Sequence, residues 1–94
     1  MERDKLINKI VSKLRKKGAI KIALFGSYAR HEERKNSDID IIVDFNKNKS
    51  LLELVKIERE LFEATGKKVD MLTERSISPY IIDGIKKEME VIYS

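Results

Sequence analysis

Apolar residues recur at helical spacing over the first part of the chain. Leu6, Ile7, Ile10, Val11 and Leu14 form one stripe between positions 3 and 17, and charged residues occupy most of the remaining surface. Gly18 follows, the residue type that most readily ends a helix. Ile20 to Phe25 is then a compact β-prone run that predicts a strand, ended by Gly26-Ser27. Positions 27 to 37 are polar and charged and predict a short helical turn followed by a loop. From Asp38 to Phe45 the pattern has period two. Ile39, Ile41, Val43 and Phe45 fall on one face of a strand, and Asp38, Asp40, Ile42 and Asp44 on the other.

Asn46 to Lys49 is a polar turn. Ser50 with Glu53 is a capping-box pair that opens a helix running to Thr65, with Leu51, Leu54, Val55, Leu61 and Phe62 expected inward and Gly66 closing it. Lys67 to Leu72 reads as a third strand. Ser78-Pro79 caps and starts a last helix over residues 79 to 88, with proline in its favoured first position. Glu90 to Tyr93 is either a short fourth strand or a tail. The order α-β-α-β-α-β-α, with room for one more strand, predicts an α/β (α+β) fold, a small mixed sheet with helices packed on it. No repeat, low-complexity tract or linker interrupts it, so one domain over residues 1–94 is expected.

Composition narrows the function classes. Apolar residues are 41% and aromatics 6%, which suits a core of Ile, Leu and Val. A chain this short buries only about 60% of its unfolded surface, so that core is modest. The absence of cysteine excludes disulfides, thiolate metal sites and cysteine nucleophiles. No apolar run approaches roughly 18 residues, and no membrane span is expected. Met1-Glu2-Arg3-Asp4 is charged and has no signal-peptide core, which predicts a cytoplasmic location. The net charge of +4 is uneven: residues 2 to 17 hold seven Lys or Arg against Glu2 and Asp4. That segment is either a solvated helix face or a docking surface for an acidic partner or nucleic acid. It lacks interleaved aromatics and any nucleic-acid recognition motif, so direct nucleic-acid binding is not expected.

The chemistry concentrates between residues 26 and 40. Gly26 lies where a strand turns into a helical segment, and a residue without Cβ lets a phosphate approach the backbone. The amides that follow point out of a helix N-terminus, and Ser27 adds a hydroxyl donor. Asp38 and Asp40, two apart on a strand, project from one face about 7 Å apart. Two carboxylates so placed repel each other unless a cation joins them, and hard divalent ions such as Mg²⁺ bring triphosphate oxygens with them. Asp70 sits within the apolar run Val69-Asp70-Met71-Leu72, where an acid is costly without a partner. If its strand lies beside that of Asp38 and Asp40, it completes a three-carboxylate cluster able to ligate a metal or deprotonate an acceptor. Two-metal phosphoryl chemistry needs such a clamp on the attacking and leaving oxygens.

Gly26-Ser27, ten residues, then Asp38-Ile39-Asp40 resembles the signature of the DNA polymerase β-like nucleotidyltransferases without a gap. The fuller runs Gly26-Ser27-Tyr28-Ala29-Arg30 and Ser37-Asp38-Ile39-Asp40-Ile41-Ile42-Val43, in a chain little longer than the catalytic core, are similar to the minimal nucleotidyltransferases of prokaryotes, the MNT family. The resemblance covers essentially the whole chain. It implies a polymerase β-like core, Mg²⁺ (two ions), a nucleoside triphosphate such as ATP as substrate, and a HEPN-domain toxin as partner. In that family the MNT protein serves as antitoxin, in some systems by transferring AMP from ATP to a tyrosine of the toxin. The alternatives are an antitoxin that neutralises its partner by binding alone and, with less support, a nucleic-acid-binding regulator using the basic first helix.

The remaining polar residues carry weaker signals. Arg30 is either a surface arginine or, as the family's matching position implies, a triphosphate contact. Ser37 is expected to shape the turn before Asp38, and Tyr28 to pack. Asp44 is expected to keep a strand end hydrated. His31, the one histidine, belongs to a solvated loop, and Met71 and Met89 fill the core.

Overall fold

The computed structural model describes residues 2–94. The elements follow in the order α1 (Arg3–Lys16), β1 (Ala19–Phe25), α2 (Gly26–Ala29), β2 (Ile39–Phe45), α3 (Leu51–Thr65), β3 (Val69–Thr73), a 3₁₀ turn (Glu74–Ser76), α4 (Pro79–Glu88) and β4 (Glu90–Tyr93). The last segment is therefore a strand and not a tail.

The four strands form one mixed sheet in the order β3-β2-β1-β4. β1 runs antiparallel to both β2 and β4, whereas β2 and β3 are parallel and joined by the α3 crossover. The alternation of β2 separates two environments. Ile39, Ile41 and Val43 are fully buried beneath α1 and α3, together with Ile22 and Leu24, and Val69 and Met71 join them in the core. Leu6, Ile10 and Leu14 supply the buried stripe of α1. The opposite face carries Asp40, Ile42 and Asp44. It is covered only in part by α4, whose Ile82 and Lys86 line a small pocket together with Ala23 and Ile42. No residue of α4 is fully buried, and Tyr80 on its first turn is 94% exposed.

The caps explain where the helices stop. Gly18 and Gly66 adopt left-handed φ of 93° and 72° after α1 and α3, and the Gly66 N–H donates to the Phe62 carbonyl at 2.8 Å. The capping box before α3 is complete, with Ser50 Oγ accepting from the Glu53 N–H and Glu53 Oε1 from the Ser50 N–H. Pro79 stands at the start of α4 as expected, but the Ser78 hydroxyl makes no cap bond.

One expectation about α3 is overturned. Leu51, Val55 and Phe62 are 76%, 54% and 53% exposed, and the inward stripe is Leu54, Ile57, Leu61 and Thr65. The reason is the edge strand. The helix turns Glu58, which shares the side of Leu51, Val55 and Phe62, toward the open edge of β3, where Glu58 Oε2 accepts the Met71 N–H at 3.2 Å.

Candidate active site

The sheet register brings the end of β1, Asp40 and Asp70 together at one end of the sheet. Phe25, the last residue of β1, pairs with Asp40, and Asp40 in turn pairs with Asp70 across the parallel β2–β3 ladder. The condition on which a third acid would join the pair is therefore met. A hydrogen bond from the Ile39 N–H to the Lys68 carbonyl, 2.9 Å, fixes the register beside these side chains. Asp38 lies one residue before β2 and is exposed, while Asp40 and Asp70 are half-buried. The Ser37 hydroxyl accepts the Arg34 N–H at 2.8 Å, so Ser37 does shape the approach to Asp38.

Gly26 leaves β1 against the Asp40 side chain with φ +68°, a region that favours glycine. A Cβ at this position would stand 2.6 Å from Asp40 Oδ2. The turn after it is a helix of only four residues, so the anion-attracting terminus expected here is a few backbone amides with little helix dipole behind them. Tyr28 packs in the core at 3% exposure, as expected of it.

Charge is crowded at this corner. Burial, then the nearby charge of Asp70 and of Asp38, then a side-chain hydrogen bond with Asp70, raise the Asp40 carboxyl above its ordinary value, and Arg30 opposes the rise. Lys68, which the sequence reading passed over, stands 3.7 Å from Asp70 Oδ1. Its spacing two residues before Asp70 was the available signal. Arg30 is near enough to act on Asp40, but its guanidinium donates to Glu32 at 3.2 Å and Glu88 at 3.5 Å. His31 is exposed, 3.8 Å from Glu90, and takes no place beside the three acids. Asp44 lies at the far end of β2, opposite Lys21.

The donor set suits a hard divalent ion. Among the described residues no three acidic or histidine groups converge on one point that could hold a metal. Mg²⁺ is commonly bound by one or two carboxylates plus substrate phosphates and not by an all-protein cage. Asp38 and Asp40 beside the open Gly26 turn fit that mode, and the carboxylate repulsion that adds to burial in raising the Asp40 carboxyl is what a bound cation relieves.

Comparison with known proteins agrees with this geometry. A sequence model of the nucleotidyltransferase domain matches residues 5–92. A Methanocaldococcus jannaschii protein provisionally named a protein adenylyltransferase is 47% identical over 88 residues, covering 94% of this chain and 95% of that one. Protein adenylyltransferase MntA of Thermococcus cleftensis is 36% identical over 72 residues, covering 77% of this chain and 73% of that one. A toxin–antitoxin crystal structure with AMP-PNP superposes with a TM-score of 0.85 at 28% identity, covering 94% of this chain and 73% of that one. The match over residues 5–92 and the 47% identity give one answer: the chain belongs to the nucleotidyltransferase domain family.

Proposed function

We propose that this chain acts as one domain, a metal-dependent protein adenylyltransferase that moves AMP from ATP onto a HEPN-type toxin and so serves as its antitoxin in the cytoplasm. The observation that carries the reading is the parallel register of Asp40 and Asp70 beside the Gly26 turn. It puts a phosphate-accessible backbone and three carboxylates at one sheet end. The adenylyltransferase name of MntA and the toxin–antitoxin structure with AMP-PNP, an ATP analogue, support the donor and the partner.

In this reading Gly26 and Ser27 receive the triphosphate through backbone amides and a hydroxyl. Arg30 exchanges its surface glutamates for phosphate oxygens. Asp38 and Asp40 would hold Mg²⁺ together with the triphosphate oxygens, and Asp70 would join as a third ligand once the ion draws the carboxylates together. Bound there, the ion supplies charge neutralisation on the triphosphate and the departing pyrophosphate. The acceptor hydroxyl forms a new bond to the α-phosphorus, the α–β phosphoanhydride bond breaks, and pyrophosphate leaves. Asp70 takes the hydroxyl proton.

Calorimetric titration with ATP tests the reading. Binding that requires Mg²⁺ and is lost in Asp40→Asn supports it, whereas a protein that binds no nucleotide contradicts it. Neutralisation by docking alone is the second reading. It is favoured by the three acids' failure to converge and by the exposed Tyr80 and Ile81 on α4.

A further inference from the structure

Arg3 is the first residue of α1, where a cation opposes the helix dipole. Its position is explained by what its side chain holds. One guanidinium nitrogen donates to Glu33 in the loop that leads to Asp38. The other donates to the Tyr28 carbonyl at 2.8 Å and to Glu90 of β4 at 3.0 Å. The guanidinium also lies 5.7 Å from the centroid of the Tyr28 ring, which is buried. A single half-buried fork therefore joins the start of α1, the end of α2, the loop before Asp38 and the start of β4.

We propose that Arg3 is a positioning residue for nucleotide binding: it clamps the Gly26–Ser27 turn through the Tyr28 carbonyl and anchors the loop before Asp38 through Glu33. The proposal rests on the nucleotide-binding reading of that turn. The turn needs such a brace. α2 has four residues, and the Tyr28 carbonyl otherwise accepts from the backbone N–H groups just beyond it, those of Arg30 and, in a long bond of 3.3 Å, His31. An ammonium cannot replace the fork, because a compact point charge does not span a carbonyl and two carboxylates in a fixed plane.

Arg3→Lys and Arg3→Met test the clamp through amide hydrogen exchange and calorimetric titration with ATP and Mg²⁺. The reporting amides are those of Arg30, His31 and Glu32, which donate to the carbonyls of Gly26, Tyr28 and Ser27. In Arg3→Lys these amides are expected to exchange about tenfold faster through easier local opening, with the melting temperature close to wild type. The Kd for ATP is expected to rise about tenfold, equivalent to about 1.4 kcal/mol. Arg3→Met is expected to show larger changes in the same direction, and Arg3→Lys keeps the test decisive if the methionine variant folds poorly. Unchanged exchange in Arg3→Lys overturns the clamp. Faster exchange or a lower melting temperature with unchanged ATP affinity overturns the positioning role and leaves Arg3 structural. If the wild-type protein binds no ATP, the nucleotide reading falls and the positioning role falls with it, while the exchange rates still decide whether the clamp exists.

Discussion

Gly26 and Asp40 are in contact so close that a methyl group on the glycine would sit 2.6 Å from the Asp40 carboxylate oxygen. Because Phe25 pairs with Asp40 in the sheet, the first residue beyond β1 must pass this side chain. The Gly-Ser turn and the acid pair, separated by ten residues in sequence, are two sides of one surface.

Gly26→Ala is therefore expected to damage the site more than the fold. The left-handed φ costs an alanine about 1–2 kcal/mol. The clash is with a side-chain end that can rotate away, taking Asp40 with it. We expect a melting temperature lower by roughly 4–15 °C and adenylyl transfer lower by about 10²-fold or more. Transfer at the wild-type rate would show that the contact has no functional weight.

Asp40→Asn is expected to abolish transfer yet stabilise the metal-free protein. The Asp40 carboxyl is raised above its ordinary value by burial and by Asp70 and Asp38, so the folded state holds its proton more tightly than the unfolded chain. That contribution is fully present below the unfolded value of 3.8 and is lost as pH rises through the raised folded value. At neutral pH the asparagine should raise the melting temperature by about a few degrees, a gain limited by solvent screening. The gain should vanish in acid, where Asp40 is already protonated. Thermal scans from pH 3 to pH 8 without metal check the sign, and a mutant no more stable at pH 8 than wild type contradicts it. Asp38→Asn is expected to lose transfer as well, with the fold intact.

Asp70→Asn separates binding from chemistry. If Asp70 serves the attacking hydroxyl, the variant keeps ATP affinity within about threefold and slows transfer by about 10²–10⁴-fold, the usual worth of a general base. Loss of ATP binding would instead make Asp70 chiefly a metal ligand, and full-rate transfer would make it structural.

Two adjacent apolar positions on α3 test the corrected packing. Leu61 is fully buried and Phe62 is 53% exposed. Leu61→Ala should cost about 2–5 kcal/mol, and Phe62→Ala about 1 kcal/mol or less. Urea denaturation of the two variants checks the packing: the pattern expected both residues inward, and a Phe62→Ala cost as large as that of Leu61→Ala would contradict the observed face.

That contrast shows what the chain made legible. The strict alternation of β2 and the local spacing of Gly26, Asp38 and Asp40 survive folding because they depend on residues within one strand and one turn. On α3 two apolar stripes lie side by side, Leu51–Val55–Phe62 and Leu54–Ile57–Leu61. Periodicity alone cannot choose between them. The choice is made by β3, whose open edge calls Glu58 to that side. Asp70 could be named from its odd place in an apolar run, but its partnership required knowing that β3 runs parallel to β2. The Arg3 contacts span 25, 30 and 87 residues and left no local trace.

The most direct measurement is the intact mass of the partner. The chain should be co-expressed with a HEPN-type toxin, the partner proposed for it, purified by size exclusion, and compared with a co-expression of Asp38→Asn. Adenylyl transfer predicts a partner carrying one or more AMP additions with the wild-type chain and none with the variant. A partner that co-elutes with the wild-type chain in the presence of ATP and Mg²⁺, yet carries no added mass, would contradict it.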